Sequence, residues 1–327
     1  MDFPGQVVLE NLDSLEKLDM DFCKFFKCSL RFASLPSLKE LNISYSIIES
    51  TAPVVLEYLD SLEKLDMRSC NFSKSPLRLA SLPSLKELNL SHSKLDSVGP
   101  VVLENLDSLE KLYMRSINFS KLPLRLVALP SLKELNLSRS KMDFPGHVVL
   151  ENLDSLEKLD MGFCNFFKSS LRLASLPSLK ELNLSHSKMD SVGPVVLENL
   201  DSLEKLYMHS INFSKSPLRL VALPSLKELN LSRSKMDFPG HVVLENLDSL
   251  EKLDMGSCNF FKSSLSFQSA DTYFVWKYAK TVIIDRIQQT LDTKKARVSV
   301  EAVFSHLKRG SITTRFWGTL RHGWYLS

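Results

Sequence analysis

The stretch VVLENLDSLEKL, Val101 to Leu112, returns almost letter for letter from Val7, Val54, Val148, Val195 and Val242, each copy 47 residues after the last. Self-similarity at a fixed period marks a protein built from stacked repeats. Between successive copies lies a second phrase, LPSLKELN, at Leu82 to Asn89 and again from Leu35, Leu129, Leu176 and Leu223. Each period therefore divides into units of 23 and 24 residues, eleven of them between residues 1 and 265.

Within a unit the apolar residues are regularly spaced. The first kind reads Leu15-x-x-Leu18-x-Met20-x-x-Cys23-x-Phe25, the second Leu38-x-x-Leu41-x-Ile43-x-x-Ser46-x-Ile48. Alternation through Leu18-Asp19-Met20 turns leucine and methionine inward and Lys17, Asp19 and Asp21 outward, the signature of a short half-buried strand. Both patterns match LxxLxLxx(N/C)xL, and over residues 1–265 the chain resembles the leucine-rich repeat family. The resemblance implies an α/β solenoid with a curved parallel sheet on its concave face and short helical or irregular convex segments. Gly99-Pro100-Val101-Val102-Leu103 is expected to open a short helix, with proline in its first turn. Ser75-Pro76-Leu77-Arg78-Leu79 reads as extended or irregular. No unit can bury its own leucines, so stacking supplies the core, at roughly 1.5–3 kcal/mol per buried leucine.

The family's asparagine is replaced throughout. The position holds Cys at 23, 70, 164 and 258, Ile at 117 and 211, and Ser at 46, 93, 140, 187 and 234. Cysteine and serine satisfy turn amides weakly and isoleucine not at all, so backbone or water is expected to serve the turns at Ile117 and Ile211. The cysteines of this inward row stand at least two units apart, about 9–10 Å by strand spacing, beyond the ~7 Å a disulfide tolerates. They read as reduced core thiols, which suits a reducing compartment. Cys28 has no CxxC spacing, and no metal site follows.

Composition breaks near Leu265. Residues 1–265 carry 31 Lys/Arg against 34 Asp/Glu, residues 266–327 carry 10 against 4, and all three Trp lie in that tail. Residues 1–265 therefore read as the solenoid and 266–327 as a basic, helical, non-repeat tail. Trp276, Ala279, Ile283, Ile287 and Leu291 fall at helical spacing, and Ser299 is placed to cap a second helix. Three readings of the tail stand: a cap over the open end of the stack, an unrelated coding tail, or an independent binding segment. No apolar run is long enough to span a membrane. Met1 aligns with Met142 and Met236, inside a repeat phrase, so a fragment of a larger receptor or adaptor is one reading of the chain. An uncapped first strand near Leu18 suggests self-association.

On the concave face one row alternates in sign: Lys17, Glu40, Lys64, Glu87, Lys111, Glu134, Lys158, Glu181, Lys205, Glu228, Lys252. This reads as a self-satisfied ladder that fixes register more than it stabilises. The neighbouring rows vary. They carry the residue types that anchor protein interfaces, and the candidate partner-binding residues are Tyr113, Arg115, Arg139, Tyr207, His209 and Arg233. Sequons at Asn42, Asn89, Asn136, Asn183 and Asn230 fall on strands and read as repeat consensus rather than glycan acceptors. No phosphate loop, HExxH or GxSxG occurs, so the reading is no enzyme, no cofactor, no metal and no small-molecule substrate. The function expected is a cytoplasmic, non-catalytic scaffold that binds a protein partner, as the resemblance implies for leucine-rich portions of intracellular immune receptors and F-box adaptors. The alternative places a nucleic-acid or anionic-membrane contact in Arg315, Phe316, Trp317, Arg321, Trp324 and Tyr325.

Overall fold

The computed structural model describes residues 5–268, less 27–28, 50–53, 73–77, 81, 96–101, 120–124, 128, 143–148, 167–171, 175, 190–195, 199, 214–217, 222, 236–240, 246 and 259–263. Of the tail expected to be helical, residues 266–268 end the strand Ser264–Gln268, paired in parallel with His241–Glu245, and residues 269–327 lie outside the described residues. The chain forms two compact units, residues 1–169 with 175–179, and residues 170–174 with 180–327.

Each unit is a stack of β coils. In the first, strands Lys17–Asp19, Glu40–Asn42, Lys64–Asp66, Glu87–Asn89, Lys111–Tyr113, Glu134–Asn136 and Lys158–Asp160 lie side by side in chain order, all parallel. In the second, Glu181–Asn183, Lys205–Tyr207, Glu228–Asn230 and Lys252–Asp254 do the same. Register is exact from coil to coil: Leu18 stands opposite Leu41, Leu41 opposite Leu65, and Leu206 opposite Leu229. The entry to each strand is a tight turn. Leu38 N donates to Leu35 O at 3.1 Å across Pro36-Ser37, and Leu15 N to Leu12 O at 3.2 Å across Asp13-Ser14. Proline and aspartate are the residues such turns favour.

The leucine spine is buried as expected. Leu41, Leu65, Leu88, Leu112, Leu135 and Leu159 are at most 1% exposed, and Phe25, Phe72 and Phe166 pack beneath the turns. The first coil differs, with Leu12 43% exposed and Leu18 half-buried.

On the opposite side of the coils the described part of the segment expected to be helical, Val102 and Leu103, lies in a strand. Val102–Glu104 is a strand, paired in parallel with Arg78–Ala80. Its equivalents Val149–Glu151, Val196–Glu198 and His241–Glu245 pair with Arg125–Val127, Arg172–Ala174 and Arg219–Val221. No helix occurs among the described residues. The reason is local. β-Branched Val-Val-Leu prefers a pleated surface, and the extended RLA or RLV segment of the adjacent coil offers it a ladder that an isolated turn of helix cannot match.

The turns at Ile117 and Ile211 also depart from expectation. The serine of the following coil serves them. Ser140 Oγ accepts from Ile117 N at 3.1 Å and donates to Met114 O at 3.1 Å. Ser234 Oγ accepts from Ile211 N at 3.1 Å and donates to Met208 O at 2.9 Å. Ser46 and Ser93 do the same for Cys23 N and Cys70 N, each at 3.1 Å. The cysteines add a second link: Cys70 Sγ donates to Ile43 O at 3.0 Å and Cys164 Sγ to Leu137 O at 3.1 Å. Burial pushes both thiols up to about 12.

Replacing Ser140 with alanine strands Ile117 N in an apolar spine, which costs about 1–3 kcal/mol; a urea midpoint lower than wild type checks this, and an unchanged midpoint contradicts it. Because the folded state holds Cys70 and Cys164 protonated, stability is expected to fall as pH rises from 9 towards about 12. Denaturation in that window should be blunted in a Cys70→Ser, Cys164→Ser double variant.

Candidate functional site

Each strand of the long sheet ends in a turn whose geometry assigns roles to the variable rows. In coils of the second kind the strand's last asparagine closes the turn: Asn42, Asn89, Asn136, Asn183 and Asn230 each accept the N–H two residues on, from Ser44, Ser91, Ser138, Ser185 and Ser232, at 2.9–3.0 Å. These are Asx turns. The five sequon asparagines on strands are therefore structural caps, each using its side-chain oxygen on the chain itself. In coils of the first kind aspartate does the same work, with Asp66 accepting from Arg68 N at 3.0 Å, Asp160 from Gly162 N at 2.9 Å and Asp254 from Gly256 N at 2.9 Å.

Tyr113 and Tyr207 break this rule, because a phenol ring cannot cap the turn. At Tyr113 the amide of Arg115 is taken instead by Ser91 Oγ of the preceding coil at 3.3 Å. At Tyr207, Ser185 of the preceding coil bonds His209 Nδ1 through Oγ at 2.8 Å. The two tyrosines are thus released from the local task that the same position performs elsewhere. Both are partly buried, and burial followed by glutamates on the adjacent strands (Glu134 and Glu87, Glu228 and Glu181) holds their hydroxyls protonated above the ordinary tyrosine range.

The residue after the turn's midpoint is in the left-handed region in every coil. Phe22, Tyr45, Ser69, His92, Ser116, Arg139, Phe163, His186, Ser210, Arg233 and Ser257 all have φ between 51 and 63°. Glycine or asparagine takes this conformation easily, whereas other side chains pay about 1 kcal/mol. Here large aromatic and cationic groups occupy it and point outward: Phe22, Tyr45 and Phe163 are 64, 46 and 51% exposed. Phe22 and Tyr45 stack at 4.8 Å between centroids, and Arg68 lies 5.9 Å above Tyr45. Arg139 lies 4.9 Å above Phe163. In the second unit His186 meets His209 edge-on at 4.8 Å. Nothing in the sequence marks this backbone conformation, since the usual glycine is missing from the row.

Of the six candidate residues, Tyr113, Arg115 and Arg139 come together on adjacent coils of the first unit. Tyr207, His209 and Arg233 form the equivalent group in the second. Arg115, Arg139 and Arg233 are exposed, while His209 is half-buried. Burial, with His186 and Arg233 close by, lowers the His209 pKa below the ordinary histidine value.

The alternating charge row is in register as expected, Lys17 opposite Glu40 and Glu87 opposite Lys111. Contact closes at Lys17–Glu40, 2.8 Å, and Lys252–Glu228, 3.5 Å. A second ladder, which the sequence reading missed, sits one residue earlier in each strand: Lys39–Glu16, Lys86–Glu63, Lys133–Glu110 and Lys227–Glu204 at 3.0–3.2 Å. Its signal was the switch from Glu-Lys to Lys-Glu between the two kinds of unit. An open depression at one end of the first unit's sheet is lined by both signs, including Lys17, Glu40, Lys64 and Glu87. No group of three or more His, Cys, Asp or Glu placed to hold a metal occurs among the described residues. The basic tail residues Arg315, Phe316, Trp317, Arg321, Trp324 and Tyr325 lie outside the described residues.

Residues 84–106 match the family model described as Leucine Rich Repeat. No curated protein matches the chain. Among solved structures it is similar to the functional domain of InlJ from Listeria monocytogenes, with 16% identity over 72% of this chain and 49% of that one, TM-score 0.38. It is also similar to a chain of the mouse RP105/MD-1 complex, with 17% identity over 72% and 52%, TM-score 0.27. The chain spans about half the length of each.

Because His209 has a lowered pKa in the fold, its protonation opposes folding, and the stability it affects is lost as pH falls through the ordinary histidine range near 6.5. A His209→Gln variant should show a smaller drop in urea midpoint between neutral and mildly acidic pH than wild type; an identical drop contradicts the assignment.

Proposed function

We propose that this chain, a leucine-rich repeat protein by its period of 47 residues and by the match at residues 84–106, is a non-catalytic scaffold that recognises a protein partner through the outward face of its long sheet. Leucine-rich repeat folds commonly serve as protein-binding scaffolds, and recognition in an immune-type or signalling setting is the narrower form of the reading.

One observation carries it. At Tyr113 and Tyr207 the residue that closes the turn in the other strands has been replaced by an aromatic side chain, and a serine from the neighbouring coil bonds the residue two further on, at the Arg115 amide in one case and at the His209 ring in the other. Each tyrosine is then joined by Arg115 and Arg139, or by His209 and Arg233, side chains with no part in the spine. Tyrosine and arginine are the commonest energetic anchors of protein interfaces, because they bury large area at low entropy cost and bring polar ends. The ladders of paired Lys and Glu beside them keep the rest of the face neutral and solvated, which suits a rim.

A photo-crosslinking amino acid placed at Tyr113 or at Tyr207 is expected to trap a specific protein in cells that express the chain. The same group at Tyr58, 70% exposed beyond the opposite row of strands, should trap none. Equal labelling from Tyr58 and Tyr113, or none from either tyrosine on the long sheet, contradicts the reading.

A further inference from the structure

The repeat supplies its own control for Arg115. One period earlier, Arg68 occupies the equivalent position. Its guanidinium is held by Asp66, two residues before it, at 2.9 Å, and the same carboxylate caps its amide at 3.0 Å. In the next period the residue two before the arginine is Tyr113. That single change removes both services. The amide has been re-supplied, by Ser91 Oγ at 3.3 Å. The counter-ion has not: Arg115 makes no ion pair among the described residues. Had the change been neutral drift, the lost carboxylate would merely leave an idle cation; but the following coil adds a second one at the same edge.

That second cation is Arg139, on the adjacent coil, where Ser116 N bonds Ser138 O at 2.8 Å. It too makes no ion pair among the described residues, and its guanidinium lies over the exposed ring of Phe163 at 4.9 Å. The ring orients the guanidinium while leaving its donors open, since a cation over a π face is attracted without spending its N–H groups. On the other side His92 N bonds Arg115 O at 2.7 Å and adds an exposed imidazole to the same edge. Of the nearby acids, Glu87 and Glu134 stand opposite Lys111 in register and Glu134 also meets the Tyr113 side chain, while Asp160 accepts from Gly162 N at 2.9 Å and from Asn136 Nδ2 at 3.4 Å.

We propose that Arg115 and Arg139, flanked by the Tyr113 and Phe163 rings, receive a carboxylate-rich segment of the protein partner. The proposal rests on the protein-binding reading and names the chemistry of the partner. A guanidinium offers paired donors in a fixed fork that matches a carboxylate, so two arginines without internal acids on neighbouring turns accept successive acidic side chains along an extended segment. The aromatic rings exclude water beside the charged contacts and take the apolar stems of the glutamates. The second unit lacks this device at neutral pH: its equivalent of Arg115 is His209, which is bonded to Ser185 and held neutral by its surroundings. The two units then differ in kind, one a charged receptor and the other an aromatic contact.

The test is fluorescence anisotropy of a labelled polyglutamate peptide with the full chain at low ionic strength. Wild type is expected to bind it and to ignore polylysine. Arg115→Ala and Arg139→Ala should each weaken binding about tenfold, the worth of one hydrogen-bonded charge pair. Tyr113→Asp is the decisive variant. It rebuilds the Arg68–Asp66 arrangement, so it should abolish the gain from Arg115 while leaving the urea midpoint as high as wild type or higher. Lys94→Ala, an exposed lysine away from this edge, should leave binding unchanged. The proposal is overturned if wild type fails to bind polyglutamate, if Tyr113→Asp binds as tightly as wild type, or if Lys94→Ala weakens binding as much as Arg115→Ala. A partner trapped at Tyr113 whose binding survives the loss of both arginines ends this proposal and leaves the protein-binding reading standing.

Discussion

A serine hydroxyl in the middle of an apolar spine ties one coil to the next. Ser46, Ser93, Ser140 and Ser234 are all but buried, and each takes an amide from the coil before it and returns a proton to a carbonyl of that same coil. A coil of 23 or 24 residues has too little surface to bury its own leucines and too few internal acceptors to satisfy its own turns. Both needs are met by the neighbour. Stacking is thus demanded twice, once by apolar area and once by hydrogen bonding, and the second demand is the more exacting in register, because a hydroxyl displaced by one residue reaches neither partner.

Sealing the turns from within frees the outer face to vary. The Asn and Asp side chains that cap the strand ends, together with the buried serines, complete the backbone without help from the row that follows. That row sits at φ of 51–63° in every coil. Its conformation is imposed by the coil, not chosen by the side chain, which is why Phe, Tyr, His and Arg are all found there. The cost of holding such residues in a left-handed turn is spread over a spine with many buried leucines. In exchange the face gains side chains that project from a rigid edge, where little entropy remains to be lost on binding a partner.

Much of this was legible in the chain. The period, the parallel register, the leucine spine and the inward row of cysteine and serine follow from spacing alone, because a side chain's face in a strand is fixed by parity. Three features were not. The helix expected at Gly99–Leu103 rested on a proline and overlooked that Val-Val-Leu would find a strand partner one coil away. The closure of the turn at Ile117 depends on Ser140, 23 residues later, and no local reading connects them. Ion pairs close at Glu16–Lys39 and its repeats as well as at Lys17–Glu40 and Lys252–Glu228 along the expected row, since exposed lysines gain under ~1 kcal/mol by closing and settle wherever the backbone brings the ends together. Of the site, the six anchor residues were named from their chemistry, but the reason Tyr113 matters is a lost Asx cap, visible only once the turns are built.

The central claim is that buried serines, not solvent, close the turns of this stack. Hydrogen–deuterium exchange at the amide of Ile117 tests it most directly. If Ser140 holds that amide, its exchange is as slow as that of the strand amide of Leu112, despite its place in a turn. Exchange at the rate of an exposed turn such as Asp107-Ser108 would show the turn open to water and contradict the account.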